Sequence, residues 1–476
     1  MTRRRRVTLA GAGLLAAACV AGVAGAASAV SAATATSNAA SAPIVAPVVA
    51  PVVSPIVVPG AASIRTATLA NGMKVIVWSD RDIPNVALYN WVRVGSRNEA
   101  PGITGLAHFF EHMMFNGTSR RAPGEFDRVM EGQGGSNNAF TSNDVTVYQN
   151  WVPRSALELV FDLEGDRLAN LAFDPKVVES ERGVVFSERR FSVEDRNPAF
   201  LMEQVQATAF VAHPYHIPTI GWPSDIRAWR MEDLQAFFKT HYALNNCTLV
   251  VVGDVAPDEV FALARRYLEP IPRQEPPQPV RTREPEQLGE RRLVVERKAQ
   301  TPLLQLAYKA PAAVDPAGPA LELLMSVLVE GDSSRLHRSL VETQKLAIDV
   351  GGYWEEGFDP SLTWFLMTLP EGGDVAALEK AFDVEIGRVV AEGVTEGELR
   401  RAKNLAASGF WKSIATIDGK ARMLGQYEVI RGDWQKLFTA PAAYESVTRE
   451  QVQAAAAEYL QARRRTVGIL APAVKP

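Results

Sequence analysis

His108-Phe109-Phe110-Glu111-His112 constrains this chain more than any other five residues. Only six histidines occur in 476 residues, and two stand here four apart, with a glutamate directly before the second. On a helix of about 3.6 residues per turn, positions 108, 111 and 112 share one face. Two imidazoles so placed can hold one metal ion. The carboxylate beside them points at the same ion without having to ligate it. That set suits hydrolysis, in which zinc acidifies water and a neighbouring carboxylate takes the proton. H-x-x-E-H is the reversed form of a familiar zinc-hydrolase motif. A catalytic zinc site wants three protein ligands and one open position, so a third ligand must come from elsewhere.

That ligand should be an acidic residue or a histidine on a neighbouring helix. The segment Glu179-Ser180-Glu181-Arg182-Gly183-Val184-Val185-Phe186-Ser187-Glu188 supplies candidates. Glu181 and Glu188 are seven apart, two helical turns, and share a face. One can ligate while the other orients a histidine from behind.

The length suggests two domains or more. The net charge of −4 gives no electrostatic case for a nucleic-acid partner. Arg3 to Arg6 followed by an Ala-, Gly- and Leu-rich stretch from Leu9 to Val30 reads as an export signal over residues 1–32, with small-residue cleavage sites at 27–32. The mature chain is then expected to carry no membrane span and to be periplasmic or secreted. Cys19 lacks a leucine three residues before it, so lipid attachment there is the lesser expectation. Only Cys247 would remain after cleavage, which leaves no intrachain disulfide.

Prolines at 43, 47, 51, 55 and 59 make residues 33–63 an extended spacer. A first domain is expected over 64–270, with strands at 73–78, 86–94 and 248–254 and helices at 154–171 and 175–192. Six prolines between 270 and 285 mark a linker, 271–289. The pattern then restarts, and 290–476 reads as a second domain of similar size. The order of strands and helices in the two halves predicts a duplicated α+β fold, each copy an antiparallel sheet covered by helices.

With these residues in hand, the chain resembles the M16 (pitrilysin) family of zinc peptidases, which includes the insulin-degrading enzymes and the mitochondrial processing peptidases. The family motif is H-x-x-E-H, about 75 residues, then a glutamate ligand, and 75 residues separate His112 from Glu188 here. The resemblance implies His108, His112 and Glu188 as ligands of one Zn2+ per chain, Glu111 as general base and Glu181 as an accessory glutamate. It implies that Asn138, Ala139 and Phe140 lie on a strand to which peptide substrate is added as a further strand. Pro214-Tyr215 with Gly221, and Asn245 to Asp254, are further landmarks. The length is similar to that of the two-domain subfamily, whose members form half of a clamshell and pair to enclose a chamber.

One feature of the family is missing. Its complete enzymes carry an arginine and a tyrosine seven residues apart in the second domain, which bind substrate and stabilise the oxyanion. Those positions read Val341 and Ile348 here. In the subfamily's heterodimers one subunit carries the zinc motif and the other the Arg/Tyr pair. The resemblance therefore implies a zinc-bearing subunit whose partner is a related chain with that pair. A homodimeric peptidase, and a non-catalytic peptide-binding or structural member, are the alternatives.

Overall fold

Two sheets organise the chain. The computed structural model describes residues 57–473. The export segment, most of the spacer and Cys19 lie outside them. Val58 is buried, so packing reaches back into the stretch read as spacer.

The first sheet contains β1 (Arg65–Thr68), β2 (Lys74–Ser79), β3 (Asn85–Val92), β4 (Ser136–Thr141), β5 (Thr146–Pro153) and β6 (Cys247–Gly253), in the order β1-β2-β6-β3-β5-β4. The second contains β7 (Arg291–Arg297), β8 (Leu303–Lys309), β9 (Asp349–Trp354), β10 (Leu362–Thr368) and β11 (Arg465–Pro472), in the order β7-β11-β8-β10-β9. With β1 set aside, the two orders are the same. In each, the earliest strand runs parallel to the last, and every other pair is antiparallel. The duplication read from element order is thus present in the topology, with one parallel pair per sheet. β4 and β9 are corresponding free edges.

Each half lends a helix to the sheet of the other. The helix Ile417–Val429 lies on one face of the first sheet, where Ala421 and Leu424 join Trp78, Trp91, Val250 and Val252 in a shared core. A Cβ at Gly425 would stand 2.0 Å from Trp91 Nε1, so only glycine lets the helix approach this closely. Lys74–Glu428 at 2.7 Å and the Tyr89–Asp418 hydrogen bond flank this contact. Conversely, Leu201, Val205 and Ala209 of the helix Asn197–Ala209 pack on the second sheet against Leu303, Ala307 and Leu470. A side chain at Gly468 would meet Val205 at 2.2 Å. The helix Ile417–Val429 explains why β3 and β6 are buried on both faces, where simple alternation predicts one wet face.

The connection between the halves has no helix or strand over residues 268–290, as its prolines require. It is nonetheless anchored. The Glu284 carboxylate accepts the backbone N–H groups of Val211, Ala212 and His213. A second bond between halves centres on Arg97, which is buried and bridges Asp144 at 3.1 Å and Asp359. Tyr215 donates to Asp144, and the Phe358 N–H donates to the same carboxylate at 2.9 Å.

Among the described residues, no helix is long and apolar enough to cross a membrane.

Candidate metal centre

The helix Leu106–Met113 divides its faces sharply. Leu106, Phe109, Phe110 and Met113 enter the first core, and Phe110 stacks among Phe237, Phe238 and Tyr242. The Glu99 carboxyl group accepts the N–H groups of Gly105 and Ala107 at 2.7 and 2.8 Å, pairing donors that the helix start leaves free. The other face presents His108, Glu111 and His112. The helix Pro175–Arg189 begins at Asp174, whose side chain accepts the Lys176 N–H, with Pro175 in the first turn. It brings Glu181 and Glu188 to the same place.

His108, His112 and Glu188 each offer a ligand atom, and these atoms lie within 4.8 Å of one another. Glu188 Oε2 is 3.8 Å from His108 Nε2 and 3.2 Å from His112 Nε2. On its other side, His112 Nδ1 donates to Glu181 at 2.8 Å, which leaves Nε2 to face the cluster. That Nε2 is buried and lacks hydrogen-bond geometry to any described residue. A buried polar atom without a partner calls for an explanation, and a cation between it and Glu188 provides one. Two imidazoles and a carboxylate form a donor set that zinc accepts, with room for a fourth ligand. The residues present therefore fit the ion.

The electrostatics are uneven. Burial, reinforced by the His112 ring, pushes His108 down to about 4, so it is neutral and able to ligate. Burial pushes Glu111 up to about 7, against the pull of the Thr141 hydroxyl, which donates to it at 2.6 Å. For Glu188, burial is outweighed by the two histidines, and its carboxyl is held below its ordinary value.

These groups open on a cavity of about 280 Å³ that His108, Glu111, Glu188, Ala139, Phe140 and Thr141 help to line. β4 is the sheet edge, paired only with β5. A free edge beside a cavity is what an added peptide strand needs.

The geometry thus brings together His108, Glu111, His112, Glu181 and Glu188. Ala139 and Phe140 line the cavity; Asn138 shares their strand but is not among the lining residues. The sequence reading missed the Thr141–Glu111 bond. It also passed over His216 and the Asn197–Ala209 helix, which bound the same cavity. A histidine in a chain with six was a signal available for the first. Val341 is in a π-helical turn, His337–Thr343, and packs on the second core, away from the cavity lining. No lysine or arginine lines the cavity among the described residues.

Comparison with known proteins gives consistent matches. The family model described as Insulinase (Peptidase family M16) matches residues 74–222, which hold His108 through Glu188. The model described as Peptidase M16 inactive domain matches 228–406. The zinc protease PqqE of Helicobacter pylori is 29% identical, over 86% of this chain and 92% of its own length. The uncharacterized zinc protease Rv2782c of Mycobacterium tuberculosis is 30% identical, over 87% and 94%. A solved protease from Helicobacter pylori superposes with a TM-score of 0.83 at 28% identity, covering 86% of this chain and 99% of that one. The first half of the periplasmic protease PqqL from Escherichia coli shares the fold, with a TM-score of 0.71 at 18% identity, over 88% and 95%.

Proposed function

The chain belongs to the M16 peptidase family, and from that premise we propose that it is a zinc-dependent endopeptidase acting on short or unfolded peptides. His108, His112 and Glu188 hold one zinc ion per chain. Bound there, zinc supplies a Lewis acid that acidifies water and polarises a carbonyl. Glu111 takes the proton from the attacking water and returns a proton to the leaving amine. Glu181 accepts a hydrogen bond from His112 Nδ1–H and so fixes the tautomer whose Nε2 lone pair is turned toward Glu188 and would be free to ligate. The edge of β4 receives the peptide, with Asn138, Ala139 and Phe140 along the contact.

The observation that carries this reading is the approach of three ligand atoms to within 4.8 Å, beside a cavity bordered by a free strand edge. Export to the periplasm or beyond rests on the N-terminal sequence. The partner rests on what the cavity lacks. A developing oxyanion needs preorganised donors, yet no lysine or arginine among the described residues lines the cavity, and Val341 and Ile348 stand where the family's pair would be. A related chain bearing the Arg/Tyr pair completes the site.

Metal analysis with and without that partner tests the reading. One zinc per chain is expected, lost in His108→Ala. Zinc retained at full stoichiometry in that variant rejects the ligand set. Full peptide cleavage by the lone chain rejects the requirement for a partner.

A further inference from the structure

The helix Asn197–Ala209 has two working faces. Leu201, Val205 and Ala209 pack on the second sheet. Ala199, Met202, Glu203 and Gln206, at i, i+3, i+4 and i+7, line the cavity beside the metal centre, and so does His216. The cavity walls are mostly apolar, from Phe140, Val193, Ala199, Met202 and Ile220.

Most polar groups on the wall are already engaged. Both Glu203 oxygens accept from Arg189 at 2.8 Å. The hydroxyls of Thr141 and Thr219 donate to Glu111 and Asn143. Gln206 Nε2 donates to the Tyr215 carbonyl at 2.8 Å. Since a carbonyl only accepts, the amide orientation is fixed and Oε1 is left over. His216 Nδ1 donates to the His213 carbonyl at 2.9 Å, so in the neutral ring Nε2 carries the lone pair. No described residue bonds Gln206 Oε1 or His216 Nε2. Neither atom is sealed from solvent, and both residues line the cavity. Ser192 adds a hydroxyl that serves either role.

The turn Pro214–His216 that presents the imidazole is braced from three sides. Tyr215 donates to Asp144, the His213 N–H donates to Glu284, and the His213 ring meets Asp359 at 3.0 Å. Gln206 ties the same turn to the helix. The two free acceptors are therefore preorganised and belong to one unit.

We propose that Gln206 and His216 form the acceptor wall of a side-chain pocket that selects a substrate residue with an apolar body and a hydrogen-bond donor at its tip. Tyrosine, tryptophan, lysine and arginine fit this description. Phenylalanine and norleucine fill the walls but leave both acceptors unpaired. Aspartate and glutamate bring acceptors to acceptors, with no lysine or arginine among the described lining residues to receive them. The inference rests on the peptidase reading and names the substrate class of that site.

The test uses the full zinc-loaded chain carrying Glu111→Gln, so that bound peptide stays intact. Fluorescein-labelled peptides of one leucine- and alanine-rich sequence carry tyrosine or phenylalanine, and lysine or norleucine, at successive positions, and binding is read by anisotropy. At one position the donor-bearing residue should bind about tenfold tighter, the value of one neutral hydrogen bond at the upper end of its range. That preference should vanish in His216→Phe and persist in His216→Gln, which restores an acceptor. Equal binding of each pair at every position in the parent overturns the proposal without any variant. So does a preference that His216→Phe leaves intact. If no peptide binds the parent even with the Arg/Tyr-bearing partner present, the peptidase reading falls first, and this inference with it.

Discussion

Thr141, the last residue of β4, donates its hydroxyl to the Glu111 carboxylate across 2.6 Å. The edge strand proposed to receive substrate and the helix that carries Glu111 are thereby joined by one hydrogen bond. Thr141→Val removes the donor and keeps the shape. Peptide cleavage should fall about five- to tenfold, the range for one lost hydrogen bond of about 1 kcal/mol, while zinc content is unchanged. Zinc loss in that variant would instead make Thr141 a structural support of the ligands.

Glu181 holds the face of His112 turned away from the cluster. Glu181→Gln weakens the acceptor and frees the ring to turn. Zinc affinity, measured by competition with a chelator, should drop about 10- to 100-fold, as is usual when a partner behind a ligating histidine is changed. An unchanged affinity would show that Glu181 does not orient the ring.

Arg97 fixes the contact between the halves. Its guanidinium is 8% exposed and bridges Asp144, itself 5% exposed, to Asp359. Arg97→Ala leaves a buried carboxylate without its cation, a change that costs about 3–5 kcal/mol. Urea unfolding should begin at a clearly lower concentration. Arg97→Lys should recover part of the loss, because one ammonium cannot span both carboxylates.

Glu355 gives the fold a pH dependence of its own. Burial, with Asp144 adding to it, pushes its carboxyl from 4.5 up to about 7, although Trp364 donates to it. Between those values the folded chain keeps a proton that the unfolded chain has released. The stabilisation is therefore full below about 4.5 and lost as pH rises through about 7. Glu355→Gln keeps the bond from Asn143 and removes the titration. Thermal midpoints at pH 5 and pH 8 should lie closer together in the variant than in the parent; an identical spread would remove Glu355 as the source.

Much of this was legible in the residues. The pentapeptide and the Glu181/Glu188 spacing placed all five polar groups, because helical geometry converts spacing directly into a shared face. The two-sheet α+β plan followed from strands and helices restarting after a proline-rich break. What local pattern did not show was who covers whom. The two-sided burial of β3 comes from a helix more than 300 residues away, at Ile417–Val429, and no window of sequence around Val86 contains that helix. The Thr141–Glu111 bond was hidden for the same reason, since register between a strand and a helix is set by the packed core. His216 lies in a short turn with no periodicity, and only the cavity shows what it faces.

The most direct measurement is cleavage of a mixed set of quenched fluorescent peptides by the zinc-loaded chain, alone and with an Arg/Tyr-bearing partner, beside Glu111→Gln. Glu111→Gln should keep its zinc and lose turnover by two or more orders of magnitude, about the contribution of a positioned general base. Peptide cleavage at the parent rate by the zinc-loaded Glu111→Gln chain would contradict the assignment of Glu111 and the hydrolytic reading built on it.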